Sequence, residues 1–273
     1  GLGASGGKGG WCPALSPASR ETPAALAPRA GDAEPRRAAL AQHTAMRQTV
    51  VEVARVTAEE GIDAQLAHGG TITVARGPAQ WARARREVEV ARSWGRGEDE
   101  LRLLAASEAT ARLAATGTVG ATYTPDCAAL HPGRLVRGLA RAVERLGGQI
   151  CEGTRVTAIA PRRAVTDRGT VRARWVVRAT EGYTSALPGL RRSVAPVYSL
   201  IIASEPLPPA TWERIGLARR ETFADHRHLI VYGQRTADDR MVFGGRGAPY
   251  HFGSRVSARF DRDERGFARP HAT

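Results

Sequence analysis

The chain has 273 residues, of which 42% are hydrophobic and 25% are charged, as in a globular protein with a sizeable core. The formal net charge is +13, but arginines supply almost all of the positive charge and are scattered rather than clustered, which disfavours nucleic-acid binding. Three distant cysteines without CxxC spacing argue against a disulfide framework and favour a reducing, cytoplasmic compartment, and the absence of a long apolar run argues against a membrane span.

The first ten residues, GLGASGGKGG, contain six glycines. Such a segment is typical of a flexible linker, which is the simpler interpretation. The alternative is a loop whose missing Cβ atoms allow the backbone to approach a phosphate or a ring. It is not a dinucleotide-binding GxGxxG motif, since no strand precedes it and Trp11-Cys12-Pro13 follows. Ser16–Asp32, rich in proline and alanine, is predicted to be a loop.

Apolar spacing predicts a long helix from Pro35 to about Glu60. Two strands, Ile62–His68 and Thr71–Ala75, are predicted to form a hairpin around Gly69-Gly70. An arginine-rich helix at Pro78–Trp94 is predicted to lie on the surface. Shorter elements follow, namely a strand at Leu101–Ala105, a helix from Ser107 to Leu113 and a strand at Thr118–Tyr123.

The most regular helix begins at His131-Pro132 and stops at Gly147-Gly148. Its predicted apolar face consists of Leu135, Leu139, Val143 and Leu146. Strands are predicted after it at Gln149–Glu152, Arg155–Ile159, Arg163–Thr166 and Thr170–Arg174, followed by a buried strand at Trp175–Val177 that ends in a turn at Glu181-Gly182.

The last third is predicted to form a separate mixed or antiparallel sheet. A short helix at Pro208–Ile215 interrupts its strands, which are predicted at Val197–Ser204, Glu221–Ala224, Leu229–Gln234 and Met241–Gly245. The polar tail, residues 255–273, is predicted to be poorly ordered.

No nucleophile-and-base motif such as GxSxG, and no HExxH, is present, and the spacing of His226 and His228 does not suit a closed metal site, so we expect no metal. Tyr232 and Gln234 share one face of a predicted strand, and Arg235 follows them. Tyrosine and arginine on a sheet can line a small-molecule pocket, where arginine holds a carboxylate. Ordinary cross-strand packing with a solvated arginine explains the same pattern equally well.

Several segments together resemble the FAD-dependent amine and amino-acid oxidoreductases of the D-amino-acid oxidase type, in particular their glycine, sarcosine and gamma-glutamylputrescine oxidase-like members. The segments are GASGGKGGWC at Gly3–Cys12, GGTITVAR at Gly69–Arg76, His131–Ile159, WVVRATEGYTSALPGL at Trp175–Leu190, VYGQRT at Val231–Thr236 and FGGRGAPYHFGS at Phe243–Ser254.

The resemblance implies an α/β (α+β) fold, with a partial Rossmann-like FAD-binding domain at 1–34 and 126–194 and a substrate domain with a mixed, largely antiparallel sheet at 35–125 and 195–254. It implies that the glycine loop contacts FAD after all, and that a strand and a turn farther along contact it too. The implied FAD-binding residues are Ser5, Gly6, Lys8, Gly9, Gly10, Trp11, Val156, Ala179, Thr180 and Gly182.

The implied activity is oxidation of an amine or amino acid by hydride transfer to the flavin, with Tyr232 and Arg235 as the substrate-side residues. The family's GxGxxG unit is expected before Gly1 and its final FAD-binding segment after Ser254, and related glycine loops carry Arg-Asn where this chain has Gly7-Lys8. We therefore expect the 273-residue chain by itself to bind FAD poorly. The alternative is a non-catalytic fragment or a basic nucleic-acid-binding module.

Overall fold

The computed structural model describes residues 4–15, 25, 34–229, 231–246 and 250–257. The chain divides into two compact units, one comprising Gly1–Ala142 with Ile201–Gly244 and the other Val143–Leu200 with Gly245–Thr273. The predicted assignment of parts of the chain to an FAD-binding and a substrate domain stays a prediction, because compactness does not report what a unit binds. Most of the predicted Ser16–Asp32 loop and of the tail lies outside the described residues.

The α-helices in the described residues follow the sequence pattern closely, except for a single helical turn, Ala4–Gly7, inside the predicted glycine loop. They are α1 (Ala4–Gly7), α2 (Pro35–Glu59), α3 (Pro78–Ser93), α4 (Ala106–Arg112), α5 (Pro132–Arg145) and α6 (Pro209–Ile215). A 3₁₀ helix covers Glu181–Ala186. The long helices α2 and α3 both begin with a proline, whose missing N–H costs nothing in a first helical turn.

The strands are β1 (Trp11–Pro13), β2 (Thr71–Ala75), β3 (Arg102–Ala105), β4 (Gly120–Thr124), β5 (Cys127–Ala129), β6 (Val156–Ala160), β7 (Arg163–Thr166), β8 (Gly169–Arg172), β9 (Ser199–Pro206), β10 (Thr222–Asp225), β11 (Val231–Arg235) and β12 (Arg240–Arg246). Seven of them form one sheet in the order β3-β4-β2-β10-β11-β12-β9, and β1 pairs with β5 separately. Strands β2 and β10 are parallel, whereas β3 with β4, β4 with β2, and β10 with β11 are antiparallel. The predicted α/β class with a mixed sheet is confirmed, but the prediction of a separate sheet in the last third is wrong, because β9 to β12 belong to the same sheet as β2, β3 and β4.

The large sheet has two chemically different faces. One face presents Ile72, Val74, Tyr123 and Phe223, which pack with Trp212 of α6 into the main hydrophobic core. The other, here called the threonine face, carries the residues between them along the strands. Because paired residues in a sheet lie on the same face, the register places five threonines there, Thr71, Thr73, Thr122, Thr124 and Thr222.

The predicted hairpin around Gly69-Gly70 is wrong, and 62–68 contains an isolated bridge at Ala67 rather than a strand. Strand β2 instead lies between β4 and β10. Gly70 has φ +82°, and a Cβ there would come within 2.5 Å of the Thr124 carbonyl oxygen. The glycine is therefore explained by close backbone packing between strands rather than by a two-residue turn.

Helix α3 is less of a surface helix than its arginines predict. It buries Ala84, Val88 and Ala91, and the last two pack with Leu101 as a second apolar cluster. The arginines occupy its other sides, so the composition of the whole helix hides a narrow apolar stripe made mostly of small residues.

Helix α5 is correctly predicted, but the prediction of its buried face is wrong. Leu139 is 41% exposed, Val143 45% and Leu146 79%, whereas the buried residues are Gly133 and Ala142. Helix α5 thus uses its small residues for close contact, and its larger apolar residues remain accessible.

The second unit contains a three-stranded antiparallel sheet, β6-β7-β8. Its β7–β8 hairpin and β6 confirm the prediction, and β6 carries a register shift between Val156 and Ala158. The predicted strands at 149–152 and 175–177 are absent, and Trp175 and Val177 are 77% and 86% exposed. An apolar β-prone run becomes a strand only beside a hydrogen-bonded neighbour, and no described strand pairs with these two segments.

Candidate functional site

The glycine-rich N-terminal loop lies against strand β11. Trp11 donates a hydrogen bond from Nε1 to the carbonyl oxygen of Gly233 at 3.3 Å. Its ring meets the ring of Tyr232 edge to face, with the centroids 5.9 Å apart. The loop predicted to bind the cofactor and the strand predicted to contact the substrate are therefore in direct contact within the first unit.

Packing inside the protein already explains two of the loop's glycines. A Cβ on Gly10 would lie 1.7 Å from the carbonyl oxygen of Leu130, and one on Gly9 would lie 3.2 Å from Ile201. Gln234, which is 3% exposed, donates from Nε2 to the same Leu130 oxygen at 3.4 Å. Its Oε1 is buried and has no hydrogen-bond partner among the residues that the structure describes.

The first part of the loop is chemically suited to an anionic group such as a diphosphate. Ser5 and Lys8 are exposed, Gly6 is half-buried, and no atom lies within 4 Å of a Cβ placed on Gly7. Phosphate oxygens accept hydrogen bonds from hydroxyl groups, from accessible backbone N–H groups and from ammonium groups. The predicted contacts of Ser5, Gly6 and Lys8 with FAD stay predictions, whereas Gly9 and Gly10 pack against neighbouring residues of the protein.

Tyr232 and Arg235 do not lie on the same face of β11. Tyr232 belongs to the threonine face, since it pairs with Ala224 of β10. Arg235 lies on the opposite, apolar face, where its guanidinium stacks on Trp212 at 4.7 Å and its Nε donates to Asp239 Oδ1 at 2.8 Å. A single ligand on one face of the sheet would not contact both side chains, and their substrate roles stay a prediction.

The remaining predicted FAD-binding residues belong to the second unit. Val156 lies half-buried in β6, and Ala179 is exposed before the 3₁₀ helix. Thr180 shares a hydrogen bond of 2.8 Å with the hydroxyl of Thr184. Gly182 is half-buried, and its N–H donates to the Glu181 carboxylate. These four residues stay predictions.

A cavity of about 680 Å³ lies over the threonine face in the first unit. Its floor includes Thr71, Thr73, Thr122 and Thr124, and its walls come from α2, α3 and the segment after the glycine loop. Trp11 also lines it, so the cavity adjoins the contact between the loop and β11. The volume lies within the range of about 300–1,000 Å³ that is usual for small-molecule sites.

One end of the cavity contains a network in which opposite charges are matched. Glu100 pairs with Arg47 at 2.9 Å, Arg96 at 3.0 Å and His43 at 3.1 Å, and Arg47 also pairs with Asp126 at 2.8 Å. Burial would raise the pKa of the Glu100 carboxyl, but the hydrogen bonds from His43 and Arg96 and the charge of Arg47 hold it below its ordinary value. This end is a stabilising network rather than a binding surface.

The other end is built around His226, whose side chain is 9% exposed. His226 Nε2 lies 3.3 Å from the hydroxyl oxygen of Thr122, and Nδ1 lies 3.9 Å from Glu87 Oε2. Burial and the nearby charge of Arg83 lower the pKa of His226, so the ring is neutral at neutral pH.

Cys127 adds a further polar contact below the cavity. Its Sγ lies 3.4 Å from the Thr222 hydroxyl, which is 2.6 Å from that of Thr71. Burial raises the pKa of the Cys127 thiol, so it stays protonated and acts as a weak hydrogen-bonding group.

Sequence reasoning missed the threonine face, the Glu100 network and the role of His226. The threonines were visible as the alternating patterns TITVA and ATYT, which place hydroxyls on one face of each strand. The Glu100 network joins residues more than 50 positions apart, so no local pattern could reveal it.

Among the described residues, no cluster of three or more histidine, cysteine, aspartate or glutamate side chains has an arrangement suited to a metal ion. In the same part of the chain, every helix is too short or too polar to cross a lipid bilayer.

The chain matches curated relatives over only part of their length. Probable oxidoreductase OrdL of Haemophilus influenzae is 32% identical over 135 residues, which is 46% of this chain and 31% of that protein. Gamma-glutamylputrescine oxidoreductase of Escherichia coli is 29% identical over 190 residues, 67% of this chain and 43% of that protein. The chain thus spans less than half the length of these relatives.

The fold is also found in solved structures. Glycine oxidase from Geobacillus kaustophilus matches with a TM-score of 0.65 and 24% identity over 94% of this chain and 65% of that one. Glycine oxidase from Bacillus cereus matches with a TM-score of 0.68 and 15% identity over 99% of this chain and 67% of that one. The model of the DAO family, described as FAD dependent oxidoreductase, matches residues 1–273. The chain therefore belongs to the DAO family of FAD-dependent oxidoreductases.

Proposed function

We propose that this chain is part of an enzyme that oxidises the C–N bond of an amine or amino acid with FAD. The observation that carries the proposal is the contact between the glycine loop and β11, where Trp11 touches both Gly233 and Tyr232. It joins the predicted cofactor side to the predicted substrate side of one site. Family membership supports FAD, and relatives named glycine oxidase and gamma-glutamylputrescine oxidoreductase support an amine or amino-acid substrate.

In the proposed reaction, a hydride leaves the carbon beside the nitrogen, the nitrogen lone pair forms the C=N bond, and water hydrolyses the resulting imine. The flavin supplies the redox chemistry when it is bound. Lys8 would balance phosphate charge, and the rings of Trp11 and Tyr232 would form an apolar wall that excludes water and orients the substrate. Tyr232 lies on the threonine face, over which the cavity lies, whereas Arg235 lies on the opposite face.

The test is a flavin spectrum of the full-length protein that contains this chain. We expect bound FAD, and we expect anaerobic addition of an amine or amino-acid substrate to bleach it. A Trp11→Phe variant, which keeps a ring but loses the Nε1 hydrogen bond to Gly233, should bind FAD and reduce it more slowly. Full-length protein without FAD, combined with steeply salt-dependent retention on DNA, would favour the alternative of a basic binding module.

A cytoplasmic location remains part of the proposal, supported by three cysteines that are free in the structure.

A further inference from the structure

The His226 end of the cavity contains an arginine whose hydrogen-bonding capacity is mostly unused. Arg83 donates from Nε to the carbonyl oxygen of His226 at 2.6 Å, which fixes its guanidinium at the cavity wall. Within the described part of the chain, its Nη1 and Nη2 atoms make no hydrogen bond or ion pair. A guanidinium anchored through Nε presents its two terminal amino groups as a planar fork, which matches the two oxygens of a carboxylate.

The charges at this end also favour an anion. Arg83, Arg86 and Arg227 line it together with the carboxylates of Glu87 and Asp225. Asp225, which is 3% exposed, has its Oδ2 atom 2.5 Å from Arg227 Nε, but that oxygen accepts no hydrogen bond among the described residues. This end therefore has three guanidinium groups, two carboxylates and a neutral His226, which leaves an excess of positive charge. At the other end, Glu100 and Asp126 match the positive charges of Arg47 and Arg96.

The neighbouring polar groups are bonded to one another, so Arg83 supplies the unused donors at this end. The hydroxyl of Thr122 donates to Glu87 Oε2 at 3.5 Å and lies 3.3 Å from His226 Nε2. Besides the threonines and the charged residues, the cavity lining includes apolar side chains, among them Trp11, Val90 and Leu101. The surroundings therefore suit an organic anion that combines a carboxylate head with an apolar body.

We propose that the cavity binds a small organic carboxylate, with the Arg83 fork holding both carboxylate oxygens and Arg86 adding long-range attraction. That the natural ligand is an amino acid or a related amine acid rests on the proposed function, whereas binding of the carboxylate itself does not require flavin. Arg83 is thereby a binding residue on α3, distant in sequence from both the glycine loop and β11.

The experiment compares 3-phenylpropionate with its neutral amide, 3-phenylpropionamide, on the purified 273-residue chain by ligand-observed NMR at low ionic strength. The two probes have nearly the same shape and differ in charge. We expect the carboxylate to bind about tenfold more tightly than the amide, because one charge-assisted, bidentate contact is worth roughly that factor. Equal affinity of the two probes, or no binding of the acid, would overturn the proposal.

Arg83→Gln tests the residue itself, and it should abolish the preference for the acid. Arg85→Gln is the matched control, because Arg85 is an exposed arginine on the same helix that does not line the cavity, and it removes the same formal charge. The control should keep most of the preference. An equal loss in both variants would show only general electrostatic attraction and would contradict a specific site.

Arg83→Lys is a second variant, for the case that Arg83→Gln does not fold. It keeps the charge but loses the fork, so an intermediate preference is expected, and thermal unfolding of each variant reports whether the cavity is intact. The readouts also distinguish the two proposals. If the full-length protein reduces its flavin but the chain does not bind the carboxylate, only the present inference is wrong. If the chain binds the carboxylate but the full-length protein does not reduce its flavin, only the proposed function is wrong.

Discussion

Both faces of the large sheet contain fully buried residues, but the two faces have opposite chemistry. Ile72, on the apolar face, is 0% exposed and packs in the main core, and Thr222, on the threonine face, is also 0% exposed. Hydroxyl groups cost free energy when buried unless they are hydrogen-bonded, and Thr222 is bonded to Thr71 and Cys127. The difference indicates that one face stabilises the fold and the other is a polar floor on which a ligand site is built.

The largest expected effect lies on the apolar face. Ile72→Ala should lower the free energy of unfolding by about 3 kcal/mol, because it leaves a cavity in a fully packed core. Chemical denaturation measures this directly. Leu146→Ala is the control: Leu146 is 79% exposed, so its change should stay within about 0.5 kcal/mol. A comparable loss in both variants would mean that the apolar face is not the main source of stability.

A smaller effect is expected on the threonine face. Thr222→Val keeps the side-chain shape but removes the partner of the Thr71 hydroxyl, which should cost about 1 kcal/mol of unfolding free energy. Thr73→Val is the matched control on the same face, since Thr73 lines the cavity and has no side-chain hydrogen bond among the described residues. If Thr222→Val stabilises the protein, the threonine face behaves as ordinary apolar core.

The smallest effect is a pH dependence from His226 above that face. Burial and Arg83 lower its folded-state pKa, so the unfolded chain takes up a proton first as the pH falls below about 6.5. Stability from this group is therefore complete above that pH and is lost as the pH falls towards the folded pKa. The groups facing it are Arg83 and Glu87 of α3, Thr122 of β4 and Asp225 of β10.

Unfolding free energies of wild type and His226→Gln, measured from pH 7.5 down to pH 5.5, check this prediction. The wild type should lose more stability over that interval than the variant does. The Arg83→Gln variant should lose less stability over that pH interval than the wild type does, because removing the positive charge returns the pKa of His226 towards its ordinary value. Parallel curves for wild type and His226→Gln would show that His226 does not titrate differently on folding.

Most of the helices and the strands of the large sheet could be predicted from the sequence, because their apolar spacing and bounding prolines and glycines are local signals. Helix α2 and strand β2 were predicted almost to the residue. The failures share one cause. Trp175–Val177 has the composition of a buried strand, and Leu139 and Leu146 have the spacing of a buried helix face, but burial depends on a neighbouring element that local sequence does not specify.

The site was predictable only in part, for the same reason. The glycine loop and the VYGQRT strand were both recognised, and the structure brings Trp11 and Tyr232 into contact. Arg235, next but two along the strand, lies on the other face because side chains alternate. Arg83 gave no signal at all, since it is one arginine among several in α3.

The sequence by itself determined the family, the cofactor class and the local elements, because these depend on residue order and on patterns within a few turns of chain. Only the tertiary structure decided which residues meet. The pairing of β2 with β4 and β10 brings threonines about 50 and 150 positions apart onto one face, and the packing of α3 over it sets Arg83 beside His226. Contacts of that sequence separation depend on how the strands pair, which no local pattern encodes.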